Sequence, residues 1–207
     1  MSRGRFITLE GGEGAGKSTQ VRRLAAWLAE RGIEVIATRE PGGSAGAEAI
    51  RALLVEGATD RWDAVTETML HFAARRDHLR VTILPALERG AWVISDRFAD
   101  STRAYQGMVQ EAGDDVVERL YAIAVGDLRP DLTLMLDLPV EKGLARAAER
   151  GGENRYERMG SAFHERLRLA FLDIAAGDPG RCVVVDADDD VDAITDRIAA
   201  VVAERLI

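Results

Sequence analysis

A glycine-rich run near the amino terminus has residue types and spacing that point directly to phosphate chemistry. Residues 11–18 read Gly-Gly-Glu-Gly-Ala-Gly-Lys-Ser, a G-x-x-x-x-G-K-S pattern between an apolar run and an amphipathic one. The glycines allow backbone N–H groups to turn inward around a polyphosphate, beside the positive end of a helix. Lys17 would neutralise the β- and γ-phosphates, and Ser18 would offer a hydroxyl to Mg²⁺. The pattern predicts a phosphate-binding loop, here the P-loop (residues 11–18), and a nucleoside triphosphate ligand.

Asp96 and Arg97 follow an apolar run at 92–96, where a P-loop protein could use both. A carboxylate at the tip of a neighbouring strand would hold the Mg²⁺ shell, directly or through water. The guanidinium of Arg97 would direct a planar set of donors at phosphate oxygens. Asp-Arg pairs are also common as surface ion pairs, so the P-loop is what favours the functional interpretation.

His71 and Arg75 lie one helical turn apart in a long helical pattern. A flat ring followed by an arginine could stack on a nucleobase and donate to its carbonyl. Spacing alone favours the simpler alternative, an aromatic ring at the edge of the core beside a solvated arginine.

A cluster of basic residues lies at 144–158, interrupted by Gly151 and Gly152: Arg146, Arg150, Arg155 and Arg158. Such a segment suits a lid that closes over a triphosphate and brings arginines to the transferred group. The alternative is a solvated helix end. Two like charges four residues apart repel when no anion is near, which favours the lid.

These residues need a framework that brings strand ends together. Short apolar runs predict strands at 6–10, 35–39, 92–96, 132–137 and 182–186. Helical patterns lie at 19–31, 45–56, 66–89, 114–126, 140–150, 161–176 and 191–205, with Gly32 and Gly90 as candidate helix ends. Alternation of this kind predicts an α/β fold, a five-stranded doubly wound parallel sheet flanked by helices. Ligands should gather at the carboxyl ends of the strands.

The composition limits the function classes. The 207 residues include 27 basic and 35 acidic ones, a net charge of -8, which argues against general nucleic-acid binding. The length suits a single domain over 1–207 with the lid as a short insertion. We expect no membrane span, because no apolar run approaches ~18 residues, and no signal peptide, because a strand follows the terminus at once. A cytoplasmic protein with a buried, unpaired Cys182 is the expectation.

Six motifs, taken together, resemble those of the bacterial thymidylate kinase family over nearly the whole chain. They are residues 9–19, Thr-Arg-Glu-Pro-Gly-Gly at 38–43, Phe-Ala-Ala-Arg at 72–75, Asp-Arg-Phe at 96–98, Ala-Tyr-Gln-Gly at 104–107, and Gly-Asp-Leu-Arg-Pro-Asp-Leu at 126–132. The P-loop is shared by a very large superfamily. The Arg-Glu-Pro-Gly-Gly, Asp-Arg and Ala-Tyr-Gln-Gly runs at these separations are far more specific.

The resemblance implies a P-loop kinase of the nucleoside monophosphate kinase type, which transfers the γ-phosphoryl group of ATP to dTMP with Mg²⁺, and a homodimer. It assigns ATP binding to Gly11, Gly12, Glu13, Gly14, Ala15, Gly16, Lys17, Ser18, Thr19 and Arg146. It assigns Mg²⁺ to Ser18 and Asp96, and catalysis to Lys17, Arg97 and Arg150. The implied dTMP-binding residues are Glu13, Glu40, Arg51, His71, Phe72, Arg75, Arg97, Thr102, Tyr105 and Gln106.

Two positions depart from the family pattern. His71 stands where many members place a phenylalanine under the thymine, and Phe72 follows it, so either ring is a candidate for stacking. The P-loop has no arginine at Glu13 or Gly14, which is typical of members with a catalytic arginine in the lid, and Arg150 is our first choice.

Other functions remain as alternatives. Another nucleoside monophosphate kinase would share the P-loop, lid and sheet, but Arg75, Tyr105 and Gln106 argue against it. A GTP-binding switch would carry an Asn-Lys-x-Asp segment, which this chain lacks. A nucleic-acid-remodelling ATPase would need a basic track.

Overall fold

Within residues 3–151 and 155–207, which the computed structural model describes, the apolar runs form one parallel sheet of five strands. Of Arg150, only the backbone is described. The strands are β1 (Phe6–Gly11), β2 (Val35–Arg39), β3 (Trp92–Asp96), β4 (Leu132–Asp137) and β5 (Cys182–Asp186). Their order across the sheet is β2-β3-β1-β4-β5, so β1 lies at the centre. This confirms the predicted doubly wound α/β architecture.

Helices cover both faces of the sheet. They are α1 (Lys17–Ala29), α2 (Ala45–Val55), α3 (Ala64–His78), α4 (Leu84–Glu88), α5 (Ala99–Thr102), α6 (Asp114–Ala124), α7 (Val140–Arg150), α8 (Ser161–Gly177) and α9 (Val191–Leu206). In the described part of the chain, no helix is long and apolar enough to cross a membrane.

The sheet is apolar on both faces because helices pack on each side of it. All six residues of β1 are buried. On one face, Leu24 and Leu28 of α1 meet Ile194 and Ile198 of α9 over the central strands. On the other face, Phe6 packs edge-on against Phe98, with ring centroids 4.9 Å apart. Cys182 is buried in β5 with a free thiol, as predicted.

The long helix predicted at 66–89 is interrupted. Helix α3 begins at Ala64, where the Asp63 carboxylate accepts hydrogen bonds from the N–H groups of Val65 and Thr66. A π-helical segment at Leu79–Ile83 then leads into α4. Gly90 follows α4 with a φ of +90°, as expected for a residue that ends a helix.

Residues 99–109 were not predicted to be helical. They form α5 and a π-helical segment at Arg103–Val109. Buried residues occur all around this segment, so its sequence has no amphipathic period to reveal it. Single π-turns occur frequently at functional sites, and this one carries Tyr105 and Gln106.

The carboxyl ends of the strands meet at one edge of the sheet. Leu9 of β1 and Arg39 of β2 both pair in register with Asp96 of β3. The P-loop and the segments after β2 and β3 therefore begin side by side, which is the position expected for ligands in an open α/β sheet.

Candidate active site

A cavity of about 580 Å³ opens at this edge of the sheet. Most of the residues predicted to contact ligands line it: Glu13, Gly14, Ala15, Gly16, Lys17, Ser18, Thr19, Glu40, Arg51, His71, Arg75, Asp96, Arg97, Thr102, Tyr105, Gln106 and Arg146. Gly11 and Gly12, the first two residues of the P-loop, line a smaller crevice beside α7. The cavity thus joins residues that are more than 130 positions apart in the sequence.

The P-loop takes a shape that requires glycine. Gly14 has a φ of +69°, and a Cβ atom there would lie 2.0 Å from the carbonyl oxygen of Gly143. Gly16, with a φ of +86°, precedes the first residue of α1, so the amino end of that helix faces the cavity. The Lys17 ammonium donates to the carbonyls of Gly11 and Gly12 at 3.1 and 2.6 Å.

Charge and burial both act on Lys17. Burial lowers its pKa, as does the nearby Arg97, while Asp96 and Glu13 raise it, and the net result is a pKa of about 8. An anion beside the ammonium would favour the protonated form. Lys17 is therefore a cation whose charge depends on what occupies the cavity.

Ser18 and Asp96 are in direct contact. The Ser18 hydroxyl donates to the Asp96 carboxylate across the start of α1 and the end of β3. Both groups offer only oxygen ligands, which is the chemistry that Mg²⁺ prefers. No cluster of three metal-binding side chains occurs among the described residues, so these two oxygens fit a cation that is held mainly by phosphate and water.

Arg97 has a backbone conformation that is uncommon for a residue with a side chain. Its φ is +71°, in the left-handed region. The guanidinium donates to the Gly11 carbonyl at 3.0 Å, to the Glu13 carboxylate at 2.9 Å and to the Tyr105 hydroxyl at 3.1 Å. Strain of this kind is common where a side chain must face a ligand.

Glu13 is the shared acceptor of this group. Besides the Arg97 pair, it accepts the Tyr105 hydroxyl hydrogen at 2.8 Å. Burial alone would raise its pKa, but Arg97 and Lys17 outweigh burial and lower the pKa to about 2. Glu13 is thus a fixed anion between the P-loop and the rest of the cavity.

Arg75 lies at the opposite end of the cavity and is almost fully buried. Its Nε donates to Glu40 Oε2 at 2.7 Å, and its Nη2 donates to the Phe98 carbonyl and the Thr102 hydroxyl at 2.9 and 3.0 Å. His78 Nδ1 contacts the other Glu40 oxygen at 3.0 Å. Nη1 of Arg75 has no hydrogen-bond partner in the described part of the chain.

Gln106 completes this end. Its Nε2 donates to Glu67 Oε1 at 2.7 Å. Its buried Oε1, like Nη1 of Arg75, has no partner among the residues that the structure describes. One unsatisfied donor and one unsatisfied acceptor therefore lie at the same end of the cavity, where a buried polar atom without a partner is costly.

The structure separates the two candidates for ring stacking. His71 lines the cavity, whereas Phe72 is 2% exposed and packs edge-on against Tyr121 in the core. The assignment of Phe72 to substrate binding is therefore wrong, because its side chain faces the neighbouring helix α6. Burial lowers the pKa of His71 to about 3, helped by the cations Arg75 and Arg155, so the ring is neutral.

Arg51 lies on the wall near the P-loop. It is half-buried and donates to the Pro41 carbonyl at 2.7 Å. Burial lowers its pKa, and repulsion from Arg39 and Arg97 adds to the effect. Arg39, Arg51 and Arg97 thus form a positively charged region that suits an anion.

The predicted lid arginines differ in position. Arg146 lines the cavity, whereas the side chain of Arg150, together with residues 152–154, lies outside the described residues. Arg155 is completely buried, pairs with Glu67 and donates to the Leu54 and Thr59 carbonyls at 3.0 and 3.1 Å. Arg155 falls within the predicted lid segment, but its buried partners hold its guanidinium away from the cavity in this structure.

Several buried residues at the site were missed by sequence reasoning. Glu10 accepts hydrogen bonds from the Phe98 N–H at 2.7 Å and the Ser101 hydroxyl at 2.5 Å. Burial and the nearby Asp100 raise its pKa to about 7. Glu10 could have been identified from the sequence, because it is a carboxylate within an apolar strand. Glu67 gave no such signal, because an acidic residue in the first turn of a helix is ordinary.

Comparisons with known proteins identify a family and similar chains. The family model described as Thymidylate kinase matches residues 9–198. A thymidylate kinase of Caulobacter vibrioides is 59% identical over 206 residues, which cover 100% of this chain and 99% of the relative. One of Nitrobacter winogradskyi is 52% identical over 208 residues, 99% of this chain and 90% of the relative. A crystal structure of thymidylate kinase from Ehrlichia chaffeensis matches with a TM-score of 0.79 at 32% identity, over 97% of this chain and 99% of that one.

Proposed function

The chain belongs to the thymidylate kinase family, and from this membership we propose that its cavity transfers the γ-phosphoryl group of ATP to dTMP, giving dTDP and ADP. The family makes the chain a phosphotransferase. The reaction joins a phosphate oxygen of dTMP to the γ-phosphorus and breaks the bond from that phosphorus to the bridging oxygen of ADP. Such chemistry needs alignment and charge neutralisation rather than a covalent intermediate.

The choice of acceptor rests on the unsatisfied donor and acceptor of Arg75 and Gln106. The end of the cavity where they lie is called the base end below. Arg75 offers the donor Nη1, and Gln106 offers the acceptor Oε1. Thymine presents the complement, an acceptor at O4 and a donor at N3–H. Cytosine presents the reverse pattern, an amino group at position 4 and an acceptor at N3. A site built for one pattern rejects the other strongly, because buried polar groups lose their partners.

The remaining residues fit the rest of dTMP. Arg51 and Arg97, which repel each other in the cavity wall, suit the phosphate between the base end and the P-loop. Tyr105 is held by Glu13 and Arg97, and its fixed ring would crowd a ribose 2′-hydroxyl. The neutral His71 ring is the flat surface for the base.

ATP would occupy the P-loop end. Glycine N–H groups and the amino end of α1 would hold its phosphates, with Lys17 released from the Gly11 and Gly12 carbonyls to meet them. Ser18 and Asp96 would hold Mg²⁺, which would neutralise the charge that develops on the phosphates. Arg146 of α7 lines the cavity and would contact the nucleotide. We propose Arg150 as the arginine that meets the transferred group.

Two further properties belong to the proposal. Met69 of α3 and Ile123 of α6 are 53% and 78% exposed, on helices that pack together, and such exposed apolar side chains would suit a homodimer. Light scattering during size-exclusion chromatography measures the mass directly.

A cytoplasmic location would place the enzyme with ATP and dTMP, and fractionation of the native host tests it.

A panel of nucleoside monophosphates tests the acceptor assignment. Purified protein would be incubated with ATP, Mg²⁺ and either dTMP, dUMP, dCMP, dGMP or TMP with a ribose sugar, and the diphosphate product separated by chromatography. We expect the highest kcat/KM with dTMP and values lower by about two orders of magnitude or more with dCMP. Equal rates with dCMP would contradict the assignment of Arg75 and Gln106.

A further inference from the structure

Glu67 is a fully buried carboxylate that does not line the cavity but contacts a residue that does. It lies in the first turn of α3. Its Oε1 accepts hydrogen bonds from Gln106 Nε2 at 2.7 Å, Gln110 Nε2 at 3.1 Å and the Tyr156 hydroxyl at 3.0 Å. Its Oε2 pairs with Arg155.

The charge of Glu67 determines which atom of the Gln106 amide is left for a ligand. A carboxylate paired with a guanidinium offers only acceptors. The amide of Gln106 must therefore turn its NH₂ group to Glu67, and its Oε1 remains without a partner among the described residues. The reverse orientation would place two acceptors, the amide oxygen and Glu67 Oε1, against each other.

We propose that Glu67 is a positioning residue that fixes the Gln106 amide and thereby selects bases with a donor at N3. The proposal rests on the proposed function, since it concerns the base of the acceptor nucleotide. With the amide fixed, thymine and uracil find an acceptor for N3–H, while the N3 lone pair of cytosine faces a second acceptor. Discrimination thus arises from a residue that never contacts the substrate.

The contacts of Glu67 also tie this selection to the residues after the lid. Arg155 donates to Glu67 and to the carbonyls of Leu54 and Thr59, which holds residues 155–156 on α2 and α3. The Tyr156 hydroxyl donates its hydrogen to Glu67, so its oxygen accepts from His71 Nε2 at 3.0 Å. The same carboxylate therefore orients Gln106 and, through Tyr156, the ring proposed to lie against the base.

Glu67→Gln separates orientation from packing, because the new side chain has the same shape. Its oxygen would stay with Arg155, and its NH₂ group would face Gln106, so the Gln106 amide would turn and present Nε2 to the base. We expect kcat/KM to fall about 10- to 100-fold for dTMP, mainly through KM. It should fall by the same factor for dUMP, which has the same edge, and less or not at all for dCMP.

Equal losses for dTMP, dUMP and dCMP would overturn the proposal, because they would give Glu67 a merely structural role. Wild-type protein that fails to phosphorylate dTMP would instead refute the proposed function, so the two failures are distinguishable. Should E67Q not fold, the double variant E67M/R155M removes the acceptor that fixes the Gln106 amide together with the buried cation that pairs with it, and the dTMP:dCMP ratio should fall.

Two further variants test whether the change in the dTMP:dCMP ratio acts through Gln106. Gln106→Met removes the amide, and adding E67Q to it should leave the dTMP:dCMP ratio where Q106M alone sets it. A further change of the ratio in the double variant would overturn the mechanism. Gln110→Leu removes another donor to the same Glu67 oxygen without touching the cavity. It should leave the dTMP:dCMP ratio at the wild-type value, and a lowered ratio would also count against Gln106 as the intermediary.

Discussion

The two ends of the cavity are built in different ways. At the P-loop end, Lys17 donates to the nearby carbonyls of Gly11 and Gly12, and the Ser18 hydroxyl donates to Asp96 at the end of β3. At the base end, Arg75 is held by the buried carboxylate of Glu40, and Gln106 is held by that of Glu67. Each carboxylate lies more than 30 residues from its partner in the sequence.

This difference indicates what each end of the cavity recognises. Contacts at the P-loop end can be exchanged for contacts to phosphate and metal, because the partners are loop carbonyls and one hydroxyl. Contacts at the base end are fixed, and what remains is a specific donor and a specific acceptor. We therefore expect changes at the first end to affect turnover, and changes at the second to affect which nucleotide binds.

The largest effect is expected from Arg150→Ala. An arginine that meets the transferred phosphoryl group contributes about 10³- to 10⁵-fold to turnover in related phosphoryl-transfer enzymes. Because this contact forms mainly in the transition state, kcat should fall sharply while KM for dTMP changes little. Steady-state kinetics measure both constants. Arg158→Ala, whose side chain donates to the Gly57 carbonyl, is the matched control and should keep wild-type kcat. If R158A loses turnover and R150A keeps it, the catalytic arginine is misassigned.

Lys17→Ala should follow, with kcat lower by about 10²- to 10³-fold, the loss typical of one electrostatic donor. The thermal midpoint should stay near that of the wild type, since among the described residues Lys17 donates only to the Gly11 and Gly12 carbonyls. Lys142 is the only other lysine of the chain and pairs with Asp188 at the surface, so Lys142→Ala serves as the control. Near-normal turnover in K17A would contradict the P-loop assignment.

The P-loop end was the more predictable from sequence because one continuous motif forms it. Glycine spacing dictates the loop, and the strand and helix on either side follow from apolar patterns of a single period each. Asp96 and Arg97 required only the rule that strand ends meet at one edge.

The base end could be predicted only through the family resemblance, and its supports could not be predicted at all. Glu67 and Arg155 pair across a sequence separation of 88 residues, and nothing in either neighbourhood marks a buried ion pair. Phe72 and His71 are adjacent rings, and only the packing of α3 against α6 shows which one enters the core. The π-helical segment with Tyr105 and Gln106 has no sequence period of its own.

Arg75→Met tests the base end with a smaller expected effect. It removes the donor for O4, so KM for dTMP should rise about 10- to 100-fold while KM for ATP stays unchanged. Arg76→Met is the neighbouring control, because Arg76 lies on the exposed side of α3. A variant with altered ATP affinity and unaltered dTMP affinity would place Arg75 at the wrong end of the cavity.

The last prediction concerns stability rather than catalysis, and it tests by pH the buried Glu10, which accepts hydrogen bonds from Phe98 and Ser101. Its folded-state pKa of about 7 exceeds the ordinary value of 4.5, so between these values the folded protein binds more protons than the unfolded chain. The contribution of Glu10 to stability is therefore present below pH 4.5 and falls as pH rises toward 7. The free energy of unfolding should decline by about 3 kcal/mol on its account. Urea titrations of the wild type and Glu10→Gln across pH 4 to 8 measure the difference.

His71 changes stability in part of the same range with the opposite sign, since burial lowers its pKa to about 3 and its contribution is lost as pH falls. It is present in both proteins and cancels in the difference between them. The wild type should thus lose stability relative to E10Q as pH rises, whereas Glu34→Gln, at an exposed carboxylate, should track the wild type throughout. A difference that stays constant with pH would show that Glu10 is ionised in the folded state. The negative charge behind Phe98 and Ser101 would then have to be counted among the groups that hold Arg97 toward the phosphates.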